Sequence, residues 1–165
     1  MAAKPKKSKS GPTNEPAIEN RKARHNYHIL ETLECGMKLT GTEIKSVRAG
    51  QVSLAEGYVR ATEDPPSLRL HNVHINEYAP AGTANQHEPT RTRTLLANRR
   101  EIRKLVMSLR EQGMTLVPLK VYFVRGRAKL LIGLARGKGH ADKRRDIASK
   151  TAQREIDRAM SKARR

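Results

Sequence analysis

The side chains able to do chemistry in this sequence are few, and their spacing does not bring them together. Six histidines include two pairs three residues apart, His25 and His28 in HNYH and His71 and His74 in HNVH, which invite a metal reading. On a strand, residues three apart point to opposite faces, and no third ligand lies nearby in sequence, so no metal is expected. Ser53, His71 and Asp64 supply the residue types of a hydrolytic triad, but no turn motif presents any of them as an activated group. Gly36, Gly41 and Gly50 do not make the G-x-x-x-x-G-K phosphate loop, and Gly137-Lys138-Gly139 has no strand–loop–helix frame around it. Cys35 is the only cysteine, which excludes an internal disulfide framework and any cage of two or more thiolates. Its expected role is a buried small hydrophobe. The reading is of a protein that is no enzyme and uses no cofactor.

Charge points elsewhere. The 165 residues carry 34 Lys and Arg against 16 Asp and Glu, a net charge of +18. Residues 1–14 hold four Lys and no acid, and residues 136–165 hold eleven Lys and Arg against four acids, so the surplus is concentrated in flanking arms. Such a surplus destabilises an isolated chain by self-repulsion, and nucleic-acid phosphates relieve it by exchanging counterions for Lys and Arg. Neither arm has the Trp, Phe or Leu face that inserts into lipid, so a membrane partner is not expected. No window approaches the ~20 apolar residues of a membrane span, and MAAKPKKSKSGP lacks the apolar stretch of a secretory signal. A soluble, cytoplasmic protein is expected. Four Tyr, one Phe and no Trp argue against a sheet that stacks splayed single-stranded bases, and favour a folded RNA recognised by shape and backbone.

The elements that must position these charges follow from hydrophobic period. Residues 1–17 read as a disordered basic arm. Tyr27, Ile29, Leu33, Met37 and Leu39 alternate, with Cys35-Gly36 as a bend between two short strands. Thr42 to Arg48 suits a short helix ending near Ala49-Gly50. Strands over 57–62 and 68–75 flank the Asp64-Pro65-Pro66 turn, and Asn76 to Arg93 is a long loop. Asn98 offers an N-cap with Glu101 three residues on, followed by Ile102, Leu105, Val106 and Leu109 on one stripe and Gly113 as the stop. Thr115 to Val124 and Ala128 to Ala135 predict a hairpin about Arg125-Gly126-Arg127, buried on much of both faces. The fold class is mainly β, a small antiparallel barrel over 18–135 closed by helices. The tail 136–165 has helix formers but sparse apolar residues, so it is expected to be disordered when free and helical when an anionic surface neutralises it.

Four segments occur in order: Asn20-Arg21-Lys22-Ala23-Arg24-His25, then Gly41-Thr42-Glu43-Ile44-Lys45-Ser46-Val47-Arg48-Ala49-Gly50, then Pro89-Thr90-Arg91-Thr92-Arg93-Thr94-Leu95-Leu96, and finally Asp142-Lys143-Arg144. Taken together they resemble the SsrA-binding protein (small protein B) family of bacterial trans-translation. The resemblance implies an oligonucleotide-binding-type barrel with flanking helices. It also implies binding, as a monomer, to the tRNA-like domain of transfer-messenger RNA and delivery of that RNA to stalled ribosomes. It puts Asn20, Tyr27, Glu34, Leu95 and Lys129 at positions linked with RNA binding, beside Arg21 and Lys22 of the first segment. Lys138, His140, Asp142, Lys143, Arg144, Lys150 and Arg154 fall in the tail that works inside the ribosome, against ribosomal RNA near the decoding site and message channel. One departure is visible: the family commonly has Tyr or His directly before its Asp-Lys-Arg, where this chain has Ala141, with His140 one place earlier.

Each residue also has a plain structural reading. Asn20 caps or fixes a turn, or its amide reads an RNA edge. Glu34 is a solubilising acid, or a carboxylate that needs a guanine N1–H and N2–H pair or a neighbouring Lys to sit against RNA. Lys129 is an edge position in an apolar strand, Leu95 is core leading into the long helix, and Arg91 with Arg93 either clamps phosphates or belongs to a solvated loop. The competing function is a ribosomal or RNA-chaperone-like protein that binds structured RNA without delivering it, and a nuclease lacks its acid and His constellation. The RNA that copurifies separates the first two.

Overall fold

Most of the described chain is spent on strands that need one another. The structure is a computed structural model and describes residues 16–163. All but the last two residues of the expected 1–17 arm lie outside that range. In chain order the elements are β1 (Ile18–Glu19), α1 (Arg21–Asn26), β2 (Tyr27–Met37), α2 (Gly41–Arg48), β3 (Val52–Ser53), β4 (Tyr58–Thr62), β5 (Ser67–His71) and β6 (His74–Ile75). Two single 3-10 turns follow, then β7 (Arg93–Leu96), α3 (Arg99–Leu109), β8 (Met114–Val124), β9 (Arg127–Gly137) and α4 (His140–Ala163).

Six antiparallel strands close into a ring, β8-β4-β5-β7-β2-β9 and back to β8. β1 occupies the part of β8 that β4 leaves open, pairing Ile18 with Val121 while Val59 pairs with Leu116. Closure removes the free edges on which sheets aggregate. The interior holds Cys35, Leu68, Leu70, Val121, Leu130 and Ile132, all fully buried. α3 lays Ile102 and Leu105 over this core, each worth about 1.5–3 kcal/mol on burial. Its start is the capping box read from Asn98 and Glu101, and Gly113, at φ +79°, follows its end.

The β8–β9 hairpin turns on Arg125 and Gly126, both with positive φ, as a two-residue loop between right-twisted strands requires. It is buried on two faces because β9 alternates between two clusters. Leu130, Ile132 and Leu134 point into the ring, while Ala135 and Leu131 join Ala23, Val117 and Leu119 in a second, outer cluster beneath α1. Register shifts between Ile29 and Glu31 in β2 and between Pro118 and Lys120 in β8 serve this arrangement. A bulge swings side chains to the other face, so Tyr27 and Ile29 join the outer cluster while Leu33 and Cys35 reach the inner one. Gly133 lies where the outer cluster presses on β9: an added Cβ would sit 2.9 Å from Leu119 Cδ1 and 3.1 Å from Ile29 Cγ2. Gly133→Ala is therefore expected to destabilise the fold by about 1–3 kcal/mol, read as a lower urea midpoint with an unchanged slope.

Several expectations need correction. Cys35-Gly36 is no bend: β2 runs unbroken through it, with Cys35 opposite Leu130 and Gly36 opposite Lys129. Gly36 serves close approach instead, since a Cβ there would lie 3.3 Å from that of Leu96 on β7. The long loop ends one residue earlier than expected, because Arg93 already pairs with Leu70. Helix α1 was not expected, having five polar residues and one Ala but no apolar stripe. The tail begins later than 136, since β9 continues to Gly137 opposite Tyr27.

Candidate nucleic-acid interface

The second and third of the resembling segments meet at one buried carboxylate. Glu43, in the first turn of α2, is fully buried and accepts from the Thr40 N–H at 2.7 Å, closing the capping box of that helix. Arg91 donates to it through Nε at 2.7 Å and Nη2 at 2.5 Å, and Arg93 through Nε at 2.8 Å. Arg93 spends its other nitrogens on the Val73 and Pro89 carbonyls and has no exposed surface. Burial alone would push the Glu43 carboxyl up, but the hydrogen bonds from Arg91, the Thr40 N–H and Arg93 outweigh it and hold the group down to about 2. His87 completes the knot, bonded to Thr42 Oγ1 at 2.9 Å and the Ile75 carbonyl at 3.2 Å. Arg93 is thus spent inside the fold, and Arg91, 31% exposed, shares the same buried acid; together they pin the 76–92 loop to α2.

Two more of the expected contact residues, Asn20 and Leu95, are buried in the free chain. Asn20 is buried; its Nδ2 donates to the carbonyls of Leu54 at 2.8 Å and Pro118 at 3.0 Å, and its Oδ1 caps α1 at Ala23 N. Both amide protons are used, so it offers RNA no donor. Leu95 is buried as well, because β7 alternates with Arg93 and Leu95 inward and Thr94 and Leu96 outward. Leu96, its neighbour, is 59% exposed. Period-two alternation carried that signal in the sequence.

Glu34 and Lys129 do come together. Glu34 on β2 and Lys129 on β9 pair at 3.1 Å on the outer face of the ring. Tyr122, opposite Lys129 on β8, donates its hydroxyl to the other Glu34 oxygen. That hydrogen bond, with help from Lys129, holds the Glu34 carboxyl below its usual range. Burial and the neighbouring carboxylate push Tyr122 up to about 12, so it is a donor at any ordinary pH. Lys129 also borders an open hollow of about 360 Å³ with Gly36, Met37, Ile44, Leu96 and Arg127 along its walls. The neighbouring Lys that a carboxylate facing RNA would need is present. Tyr122, Leu96 and Arg127 were missed in the sequence, Tyr122 because its role depends on a β8–β9–β2 register that no local pattern specifies.

Tyr27 lies seven residues along β2 from Glu34, roughly 23 Å at the rise of an extended strand, and so belongs to a different surface. It borders a second hollow, of about 570 Å³, with Lys22, His25, Glu56, Tyr58 and Thr115. Tyr58 stacks on His71 at 5.0 Å between ring centroids. Arg21 and Lys22 are exposed on α1, with Lys22 paired to Glu56 at 3.1 Å. Here the tail is tied on. The Lys138 N–H donates to the Asn26 carbonyl at 2.9 Å, Lys138 Nζ to the Arg24 carbonyl at 3.0 Å, and His28 meets Asp142 at 3.6 Å. Asp142 also accepts from the Gly139 N–H in the first turn of α4, where an acid suits the helix dipole. Helix α4 begins at His140 and contains Lys143, Arg144, Lys150 and Arg154, with Arg144 and Arg154 exposed.

The family model described as SmpB protein matches residues 17–162. The chain belongs to the SmpB protein family. Among SmpB relatives, an SsrA-binding protein of Thermobifida fusca is 50% identical over 162 residues, covering 98% of this chain and 99% of the relative. One of Salinispora tropica is 55% identical over 143 residues, covering 87% and 88%. A solved structure described as "tmRNA-SmpB: a journey to the center of the bacterial ribosome" is 46% identical, with a TM-score of 0.64 over 80% of this chain and 94% of that one. Among the described residues, no helix is long and apolar enough to cross a membrane.

Proposed function

We propose that this chain is an RNA-binding adaptor that joins transfer-messenger RNA to stalled ribosomes, acting in the cytoplasm and doing no catalysis itself. Its relatives are SsrA-binding proteins, and the solved relative is described with transfer-messenger RNA and the bacterial ribosome. The observation that carries the reading is that two unlike surfaces lie at opposite ends of β2 and only one of them continues into the basic helix α4. The end bearing Glu34, Lys129 and Leu96 takes the tRNA-like domain, offering a carboxylate, an ammonium and an apolar shelf to a folded RNA. The other end, with Arg21, Lys22 and Tyr27, works with Lys138, Asp142, Lys143, Arg144 and the rest of α4 against ribosomal RNA. In this reading the tail forms its helix stably only where phosphates neutralise it, in the channel a message would otherwise fill. A vacant channel admits the helix and an occupied one excludes it.

The test is the RNA that the full-length protein retains when purified from its cell. One abundant species with a tRNA-like acceptor end is expected, and ribosomal RNA at fixed stoichiometry would refute the adaptor reading. Because phosphate neutralisation supplies much of the affinity, binding of that RNA is expected to weaken on the order of a thousandfold between 50 and 200 mM salt. A flat salt response would remove the electrostatic part of the proposal.

A further inference from the structure

The outward cluster on the β2–β9–β8 wall is more specific than a charged patch. Glu34 is the acid in it, held from two sides by the Lys129 ammonium on Oε1 and the Tyr122 hydroxyl on Oε2. A carboxylate offers two lone-pair directions on each oxygen, so one on each is spent internally and one on each remains. Glu34 is exposed, which leaves that remaining pair open to a partner. An acceptor-only edge repels phosphate and selects donors. Among nucleobase edges, the Watson–Crick edge of guanine has two adjacent donors, N1–H and N2–H. Adenine, cytosine and uracil each set a ring or carbonyl acceptor beside their donor, which a carboxylate repels. Such an edge is free only on an unpaired base, the usual target of sequence-specific readout in folded RNA. The hollow walled by Gly36, Met37, Ile44 and Leu96 adjoins Lys129 and gives an apolar surface for the plane of a base.

We propose that Tyr122 is a specificity-setting residue: with Lys129 it fixes the Glu34 carboxylate so that its two outward lone pairs accept the N1–H and N2–H of one unpaired guanine in the bound RNA. This rests on the reading that the Glu34 end binds transfer-messenger RNA. Tyr122 acts as a positioning residue and need not touch the RNA. Without its hydroxyl the carboxylate keeps only the Lys129 contact and turns toward the ammonium, so that the two acceptors no longer lie side by side.

The test uses full-length protein and transfer-messenger RNA in which each unpaired guanine of the tRNA-like domain is replaced singly by inosine, which keeps N1–H and lacks the N2 amine. One position is expected to show about a tenfold loss of affinity, the effect of one hydrogen bond to a charged group. In Tyr122→Phe and in Glu34→Gln that guanine-to-inosine ratio should fall to about one, with the slope of log affinity against log salt unchanged, because no phosphate contact is lost. Glu34→Gln, at an exposed position, decides the matter if Tyr122→Phe loosens the ring. Tight binding by the wild type with no sensitive guanine, or a tenfold ratio that survives in both variants, overturns the guanine-reading proposal and leaves the adaptor reading standing. Failure of the wild-type protein to bind the unmodified RNA overturns both.

Discussion

Replacing Glu43 by Ala is expected to cost about 3–5 kcal/mol, the penalty for leaving a buried charge without its partner, out of the ~5–15 kcal/mol that holds a domain folded. Arg93 has no exposed surface and would keep only the Val73 and Pro89 carbonyls, which accept its protons but carry no charge to offset it. Urea unfolding at neutral pH followed by circular dichroism measures the effect, and a loss under 1 kcal/mol would show that the buried knot is not what holds the loop. Replacing Glu43, Arg91 and Arg93 together by apolar residues of similar size should recover most of the stability, since pairs of buried charges seldom outperform a packed core. The same carboxylate sets an acid limit. Its value falls from 4.5 in the unfolded chain to about 2 in the fold, so its contribution is fully present above pH 4.5 and is lost as the pH drops toward 2. That contribution is about 3 kcal/mol, and Glu43→Gln should erase this part of the acid transition.

The largest functional loss is expected in the tail. Proline at Ala152 removes a hydrogen bond and clashes within α4, at a cost of about 3 kcal/mol or more. That is roughly a hundredfold in any equilibrium that requires the helix. Tagging of nascent chains on stalled ribosomes should fall by at least that factor, while affinity for transfer-messenger RNA changes less than about threefold, because Ala152 lies in α4, outside the ring that carries Glu34 and Lys129. Replacing Asp142, Lys143 and Arg144 together should do the same, since Asp142 is both the first-turn acceptor and the contact to His28. A peptide of residues 136–165 should show little helix in buffer and gain it with a polyanion. Full tagging by both variants would reduce the tail to a counterion arm and end the vacancy-sensing mechanism.

What could be read in the sequence was local. The capping box at Asn98 and Glu101, the stripe of Ile102, Leu105, Val106 and Leu109, and the turn at Arg125-Gly126 each lie within a dozen residues of their partners, and the structure has all three. Two of the misreadings share a cause, which is that the deciding partner is far away in sequence. Arg91 and Arg93 look like free cations until Glu43, 48 and 50 residues earlier, is brought under them. Cys35-Gly36 looks like a bend until Leu96 of β7 is packed against the glycine. Of the candidate site, Glu34 with Lys129 came together as a pair, whereas Leu95 shares the inward parity of Arg93 on β7 and leaves Leu96 outward.

Strand β2 carries the Glu34 cluster at one end and the tie to the tail at the other. It therefore works as a ruler between whatever each end grips, graduated in steps of two residues. Inserting two residues between Leu30 and Glu34 would keep every side chain on its face and lengthen the span by about 7 Å, whereas inserting one would turn Glu34 into the ring unless a second bulge like that between Ile29 and Glu31 absorbed it. An adaptor built this way can change what it holds at either end by substitution, but it can change the separation of its two cargoes only in those fixed increments or at the cost of a further bulge.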